Sequence, residues 1–496
     1  MSHARALDEF LSTVLRRRTL VGGLLGAVIP STSVRAKSKR RRCAPPRRRC
    51  DGRCVEVLSN RLHCGACGNS CGDEQQCLQG HCCDAGLVLC GETCAATCAA
   101  AVRRPFPQLQ SYPGARNRIT HRTRQEQIAD VSTFYDAWKA AYVRQQGEDS
   151  QGRPRYWVAY NREKTETVSE AMGYGMILAA IMAGHDPEAQ TVFDGLWRFV
   201  REHPSEQDPR LMAWHIDSRH QCIGGCNSAF DGDADMAYGL LLADAQWGST
   251  GAIDYRAAFD EVVAGIMASM IGPESHLPML GDWVDATSSG SYSQWSTRTS
   301  DFMPAHFRAY ARATGDERWT TVRTTIAAAT ETLQTSSAAG TGLLPDFAVH
   351  TGSPRSITPA SAQFLEGPHD GHFNYNAGRV PWRIGTDAVM ADDVTEQQQV
   401  SRISSWARLT SGGNPLAFRS GYRLDGTTWS GTDYFSTFFV APLGVAAMTD
   451  SGGADWLAEI YDAVRICGAN GAGYYEDSVA LLALLVMTEL YWDPTA

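Results

Sequence analysis

The sequence predicts an all-α barrel, two concentric rings of helices, preceded by a small segment ordered by disulfides. Three observations predict it. From about Arg104 to the end, the chain reads as a dozen helices joined by Gly- and Pro-containing loops. Strands with convincing alternation are scarce, which fits helix packed on helix better than an α/β fold. Twelve of the 15 cysteines lie between Cys43 and Cys98, far denser than a small apolar core would require. No internal repeat is evident, so the ring rests on helix count.

The elements follow in chain order. Residues 1–36 read as an export signal. Arg16-Arg17-Arg18-Thr19-Leu20 precedes a short apolar run from Leu20 to Ile29, then Val34-Arg35-Ala36. The adjacent arginines point to the twin-arginine route. Residues 37–49 form a basic linker. Residues 50–98 form a Cys-rich module with too few apolar residues for a core, so cross-links must supply its order. Export favours disulfides over zinc. Cys64-x-x-Cys67 keeps a metal reading open, because zinc accepts that spacing. Wall attachment, glycan binding and spacing are all open roles for this head.

Residues 105–496 form the large domain. Its predicted helices are 124–143, 169–184, 187–203, 232–247, 254–271, 301–314, 316–334, 383–391, 397–411, 433–448, 453–466 and 476–491. Asp186-Pro187 places Pro at a first helical position, and Thr167-x-x-Glu170 matches a capping box. No run of eighteen apolar residues occurs, so no membrane span is expected.

Charge divides unevenly. Residues 1–104 hold 17 Lys/Arg against 8 Asp/Glu, leaving 28 against 46 for residues 105–496, a net of −18. Such a body repels nucleic acid and favours a neutral or cationic partner. An acidic surface that serves only solubility is the plainer explanation.

Two acidic sites stand out. In Thr167-Val-Ser-Glu170-Ala-Met-Gly173-Tyr174-Gly175-Met176, Glu170 reads either as the reciprocal partner of Thr167 in the capping box or as a proton donor. Gly173 and Gly175 each cost a helix about 1 kcal/mol relative to Ala, which is tolerated when something approaches closely. In Ser228-Ala-Phe230-Asp231-Gly-Asp233-Ala-Asp235, a calcium loop fails, because its sixth position is Met236 and its twelfth Leu242. Three carboxylates in five residues also exceed the needs of a cap at Ser228.

These stretches, with Leu211-Met-Ala-Trp214, Asp231 to Ala237 ending at Trp247, and Phe373-Asn-Tyr-Asn376-Ala-Gly-Arg379-Val-Pro-Trp382-Arg383, resemble glycoside hydrolase family 8. The motifs occur in order across roughly residues 115–492. The resemblance implies an (α/α)6 barrel and inverting endo-hydrolysis of β-1,4-linked glucan, xylan, chitosan or mixed-linkage glucan, with no cofactor or metal. It also implies an enzyme acting on polysaccharide, and the chain is expected to be monomeric.

By position, Glu170 resembles the family's general acid and Asp231 the acid that grips and helps distort the sugar. Trp214 resembles a stacking platform, and Tyr474 and Tyr475 are candidates for another. Tyr174 is a further substrate-binding candidate. Tyr375 and Arg379 match residues around the catalytic water.

The chain departs from the pattern at Phe230, where Ser or Thr is usual, and at Asn376, where cellulase- and xylanase-like members carry the basic Asp. Asn cannot take a proton from water. A branch holding chitosanases and mixed-linkage glucanases shares this Asn and draws its base Glu from an upstream loop. Residues 346–370 supply such a loop, and Glu366 is the candidate base, with Asp346 and Asp370 as fallbacks. A solvated loop acid is the plain alternative for Glu366.

Chitosan leads the substrate expectations, then mixed-linkage glucan, then cellulose. A non-catalytic carbohydrate-binding protein, with Asn376 marking a dead site, is the rival of another class. Cys222-x-x-x-Cys226 is expected to form a loop disulfide, and Cys467 to be buried without a partner.

Overall fold

A computed structural model describes Cys43 and residues 47–78, 80–85, 88–90, 93–95, 102–161, 163–468 and 471–496. The predicted export signal lies outside the described residues, as does all of the basic linker before Cys43. The chain divides into two units at residues 100 and 101.

In the first unit, three short antiparallel hairpins (Arg48–Cys50 with Arg53–Val55, Gln75–Leu78 with His81–Asp84, Val88–Cys90 with Thr93–Ala95) carry the fold. Disulfides join Cys43 to Cys54, Cys50 to Cys67, Cys64 to Cys77, Cys71 to Cys82 and Cys83 to Cys94. Cys64 and Cys67 belong to different cystines, so the spacing that suits a zinc pair is spent on cross-links. The buried cluster of this unit is itself made of Cys64, Cys71 and Cys77, which is how a segment this poor in apolar side chains stays ordered.

The second unit contains twelve α-helices among the described residues: α1 Arg124–Tyr142, α2 Ser169–Ile181, α3 Ala189–Glu202, α4 Phe230–Trp247, α5 Tyr255–Ser269, α6 Pro304–Thr314, α7 Arg318–Ser336, α8 Val380–Met390, α9 Val394–Thr410, α10 Thr437–Ala447, α11 Ala454–Gly468 and α12 Tyr474–Met487. The even-numbered helices touch in a closed ring (α2–α4–α6–α8–α10–α12–α2), and the odd-numbered ones pack outside them. The sequence explains this division. α2, α10 and α12 are apolar nearly all round and buried, as a helix surrounded by others must be. α3 buries only Ala189, Val192, Phe193, Gly195, Leu196, Trp197, Phe199 and Val200, a single stripe at helical spacing.

Inner helices run parallel, and glycines set their spacing. A Cβ on Gly173 would lie 2.5 Å from the Asp235 Cβ, and one on Gly232 2.3 Å from the Ser169 Oγ. A Cβ on Gly175 would lie 2.6 Å from a methyl carbon of Val158. The close approach inferred for Gly173 and Gly175 is therefore protein packing. It brings the first turns of α2 and α4 together.

Two boundary expectations change. α3 starts at Ala189 with Glu188 as its cap, so Pro187 is not its first residue. Asp186 instead accepts a hydrogen bond from the Glu188 N–H at 2.9 Å and from the Tyr135 hydroxyl at 2.6 Å. The predicted capping box at Thr167 also fails. Val168 is the N-cap of α2, and the Thr167 hydroxyl donates to the Val158 carbonyl at 2.7 Å. A capping box does open α1, where Thr123 and Glu126 satisfy each other.

Candidate active site

Because the inner helices are parallel, their first turns meet at one end of the barrel, and the chemistry gathers there. Glu170 lies in the first turn of α2 and Asp231 in that of α4. Arg379, in the 3-10 turn Ala377–Arg379 that leads into α8, is 1% exposed and serves both carboxyls. Its Nη1 lies 2.6 Å from Glu170 Oε2 and 2.7 Å from Asp231 Oδ2. Its Nη2 donates to Ser300 Oγ at 2.9 Å and Asn376 Oδ1 at 3.1 Å. The Tyr474 hydroxyl, opening α12, donates to Glu170 Oε1 at 2.9 Å.

The two acids are tuned apart. Burial pushes the Glu170 carboxyl up to about 7, against the pull of Arg379 and with help from the Asp231 charge. Burial also opposes ionisation of Asp231, but Arg379 and Arg298 together outweigh it and hold this carboxyl below its ordinary range. One acid thus holds a proton near neutrality while its neighbour stays anionic, a division that suits a donor beside a charge stabiliser. The Glu170 side chain keeps 14% exposure, enough to meet a ligand, whereas that of Asp231 keeps 5%.

The loop between α7 and α8 brings in the third carboxylate. It forms a hairpin, Phe347–Thr351 with Ser356–Pro359, whose first strand pairs with Ser296–Arg298. A separate apolar cluster of Met279, Leu280, Val284, Phe347 and Ala360 supports it. Glu366 follows on a half-exposed turn. Asn376 Nδ2 donates to Glu366 Oε2 at 2.8 Å, and Arg298 Nη2 lies 3.5 Å from Oε1. Arg298 Nη1 reaches Asp231 Oδ2 at 3.3 Å. Glu366, Asn376, Arg379 and Glu170 therefore form one hydrogen-bonded chain in which the two glutamates do not touch.

The other acids of this loop have different jobs. Asp370 Oδ2 accepts from the N–H groups of Leu365 and Glu366 at 2.7 and 3.0 Å, and Oδ1 from Gly367 at 2.9 Å. Asp346 Oδ1 accepts from the N–H groups of Asn374, Asn376 and Ala377 at 3.1, 3.0 and 2.6 Å. Both are 3% exposed or less and hold loop backbone, whereas Glu366 is half-exposed.

The family model of Glycosyl hydrolases family 8 matches residues 123–489. The chain belongs to glycosyl hydrolase family 8. It is 41% identical over 394 residues to a β-glucanase of Niallia circulans, covering 79% of this chain and 92% of that one. It is 34% identical to an endoglucanase of Bacillus sp. strain KSM-330, covering 79% and 82%. The structure of a β-1,3-1,4-glucanase from Paenibacillus sp. X4 superposes with a TM-score of 0.74 at 41% identity, covering 79% of this chain and all of that one. The ring of helices is thus the (α/α)6 barrel of this family, and the protein is a glycoside hydrolase.

In this family 8 enzyme the fold brings Glu170, Asp231, Asn376, Arg379 and Glu366 together through direct contacts. Phe230, the first departure, is fully buried against Phe307 at 6.0 Å and faces the core. The three clustered aspartates have separate roles. Asp231 joins the site, Asp233 Oδ1 accepts the Met212 N–H at 2.9 Å, and Asp235 pairs with Arg383 at 2.5 Å and His306 at 2.8 Å. Ser228 is not the cap of α4, because Ala229 takes that place and the Ser228 hydroxyl faces the Met270 sulfur at 3.0 Å.

Several aromatic expectations are corrected. Tyr174 is fully buried with its ring against Trp382 at 6.0 Å, so it cannot stack on a sugar. Tyr474 is 5% exposed and acts through its hydroxyl on Glu170 instead of presenting a ring face. Tyr475 stacks on Phe438 at 4.5 Å and donates to the Tyr375 carbonyl at 2.7 Å, so much of its ring is occupied by protein. The Tyr375 hydroxyl meets that of Tyr434 at 2.6 Å.

Trp214 remains partly exposed. Its Nε1 donates to the Gly224 carbonyl at 3.0 Å, inside the loop closed by the Cys222–Cys226 disulfide. Gly224 has φ +74°, and a Cβ there would lie 2.7 Å from the Trp214 ring, so the glycine is required. Cys467 is a free thiol but only half-buried.

Sequence reasoning missed Arg298 and Asp301, which lie outside the family motifs. Asp301 is fully buried, neither of its oxygens has a protein donor, and burial pushes it up to about 7. No local signal marked them: every residue of Ser296-Thr-Arg-Thr-Ser-Asp301 is polar, and the burial of this run is visible only in the fold.

Proposed function

We propose that this enzyme is a secreted, inverting endo-β-glucanase whose substrate is mixed-linkage β-1,3-1,4-glucan. The observation that carries the mechanism is the chain of contacts from Glu170 through Arg379 and Asn376 to Glu366. It holds a buried, protonated carboxyl and a half-exposed carboxylate in one site without contact between them, as an inverting pair with room for water requires.

In this reading Glu170 gives its proton to the leaving glycosidic oxygen, and Arg379 and Tyr474 receive the carboxylate that results. Glu366 takes a proton from a water on the opposite face of the sugar. That water's oxygen forms the new bond to the anomeric carbon as the glycosidic bond breaks. Asp231, kept anionic by two arginines, faces the positive charge developing on the ring. Asn376, where other members of the family place their base, serves as the donor that orients Glu366.

The β-glucan preference is supported by the 41% identity to the β-glucanase and to the β-1,3-1,4-glucanase, each over 79% of this chain. Chitosan is the second reading, favoured by the acidic balance of residues 105–496. Export is supported by the cystines of the head and by Cys222–Cys226, which persist in an oxidising compartment.

Reducing-sugar release on barley β-glucan, chitosan, carboxymethyl-cellulose and xylan tests the substrate, and the anomeric configuration of the first product tests the mechanism. Preference for barley β-glucan with an α-configured product is expected. A β-configured product would overturn inversion, and preference for chitosan would move the substrate to the second reading.

A further inference from the structure

We propose that Arg298 is the positioning residue that locks the loop-borne base to the sugar-gripping acid; this rests on the reading of Glu366 as base. The problem it solves is mechanical. A base on a helix inherits the rigidity of the helix, but Glu366 sits on a turn with its side chain 50% exposed. Its backbone is fixed by Asp370, and one carboxylate oxygen by Asn376. The other oxygen faces only Arg298 among the described ion pairs.

Arg298 is placed to supply that second hold. It ends the strand Ser296–Arg298, where it lies opposite Phe347, the first residue of the hairpin that leads to Glu366. Its guanidinium lies over the Phe347 ring at 5.5 Å, and its side chain is 12% exposed. The charges facing it are Asp231 and Glu366, Asp301 when it ionises, and Arg379, so the acids around the guanidinium hold it in place against one like charge. With Nη1 on Asp231 and Nη2 on Glu366, the two prongs of one planar group set the distance between the ring-binding acid and the base. A base displaced by about 1 Å from its water loses on the order of 100-fold in rate.

The test is a double-mutant cycle in the full-length protein on barley β-glucan. R298Q is expected to lower kcat by ~100-fold with KM within about threefold of wild type. R298K, which keeps the charge but not the fork, should recover about tenfold of that loss. The same changes are then made in E366A, assayed with azide as nucleophile. Azide forms the bond to the anomeric carbon, the glycosidic bond breaks, and Glu170 still protonates the leaving oxygen.

If Arg298 acts through Glu366, adding R298Q to E366A costs less than about threefold. An equal loss in both backgrounds, or an unchanged kcat in R298Q, overturns the proposal while leaving the base assignment intact. Should R298Q not fold, R298K completes the cycle. Near-normal activity of E366A without azide would instead remove Glu366 as base, a failure of the underlying reading and so of this one.

Discussion

Replacing Glu170 by Gln is the most direct probe of the site, because the structure separates its chemical and structural effects. Gln keeps the shape: its amide oxygen can accept from Arg379 and its NH2 can donate to the Tyr474 hydroxyl oxygen, in place of the two carboxyl oxygens that now accept from these groups at 2.6 and 2.9 Å. Arg379 also keeps Asp231 at 2.7 Å, so its buried charge is not orphaned. The cost of breaking a buried ion pair outright, about 3–5 kcal/mol, should therefore not appear, and the melting temperature is expected to fall by only a few degrees. The proton donor is lost entirely. General acid catalysis contributes ~10²–10⁴-fold, equivalent to about 3–5 kcal/mol of barrier. On barley β-glucan, kcat is expected to fall by at least ~100-fold. On an aryl β-glucan oligosaccharide with a dinitrophenyl leaving group, which departs without protonation, the loss should be within about tenfold. Equal losses on both substrates, or a polymer rate within tenfold of wild type, would refute Glu170 as the acid.

Other expected outcomes can be checked in parallel. Because burial raises Asp301 to about 7, the folded protein binds this proton more tightly than the unfolded chain does. That penalty is absent below the ordinary carboxyl range and grows as pH rises, becoming full above about 7. D301N should thus raise the melting temperature at pH 8, by up to about 4 kcal/mol in stability, and leave it unchanged at pH 4; equal effects at both pH values would contradict the sign. N376D replaces the donor to Glu366 with a second acceptor at 2.8 Å. Turnover should drop at least tenfold through lost orientation and like-charge repulsion, and a rise would mean that position 376 can host the base itself. Removing the Cys222–Cys226 bridge by double Ser substitution should cost about 2 kcal/mol or less, because the loop is short, and should raise KM more than it lowers kcat by freeing Trp214. A change in kcat alone would remove Trp214 from substrate binding.

The helices were legible as segments, though not to the residue at their ends. All twelve predicted segments coincide with observed ones to within a few positions, because burial on one stripe or on all faces leaves its mark on composition. The resemblance to family 8 pointed to Glu170, Asp231 and Arg379, and the branch of that family that shares Asn376 pointed upstream to Glu366 as the candidate base. Local pattern misled where two explanations shared one spacing. Thr167 and Glu170 have the interval of a capping box, yet the helix begins a residue later and Glu170 is claimed by Arg379 across the barrel. Tyr474 and Tyr475 were candidates for a sugar platform and Tyr174 for substrate binding, yet it is mostly packing and hydroxyl contacts that they provide.

By itself, then, the sequence determined the helical architecture and the cross-linked head, since periodicity and cysteine density are local properties, and its resemblance to family 8 singled out the candidate acids. Which acid is buried beside which cations, which groups touch Glu366 and which residues hold backbone were decided only by the tertiary structure. Those outcomes depend on burial and on charges brought together from distant segments: Arg298 meets Asp231 and Glu366, each more than sixty residues away in the chain. A carboxyl's proton affinity follows the dielectric and the cations around it, and neither is written in the residues beside it.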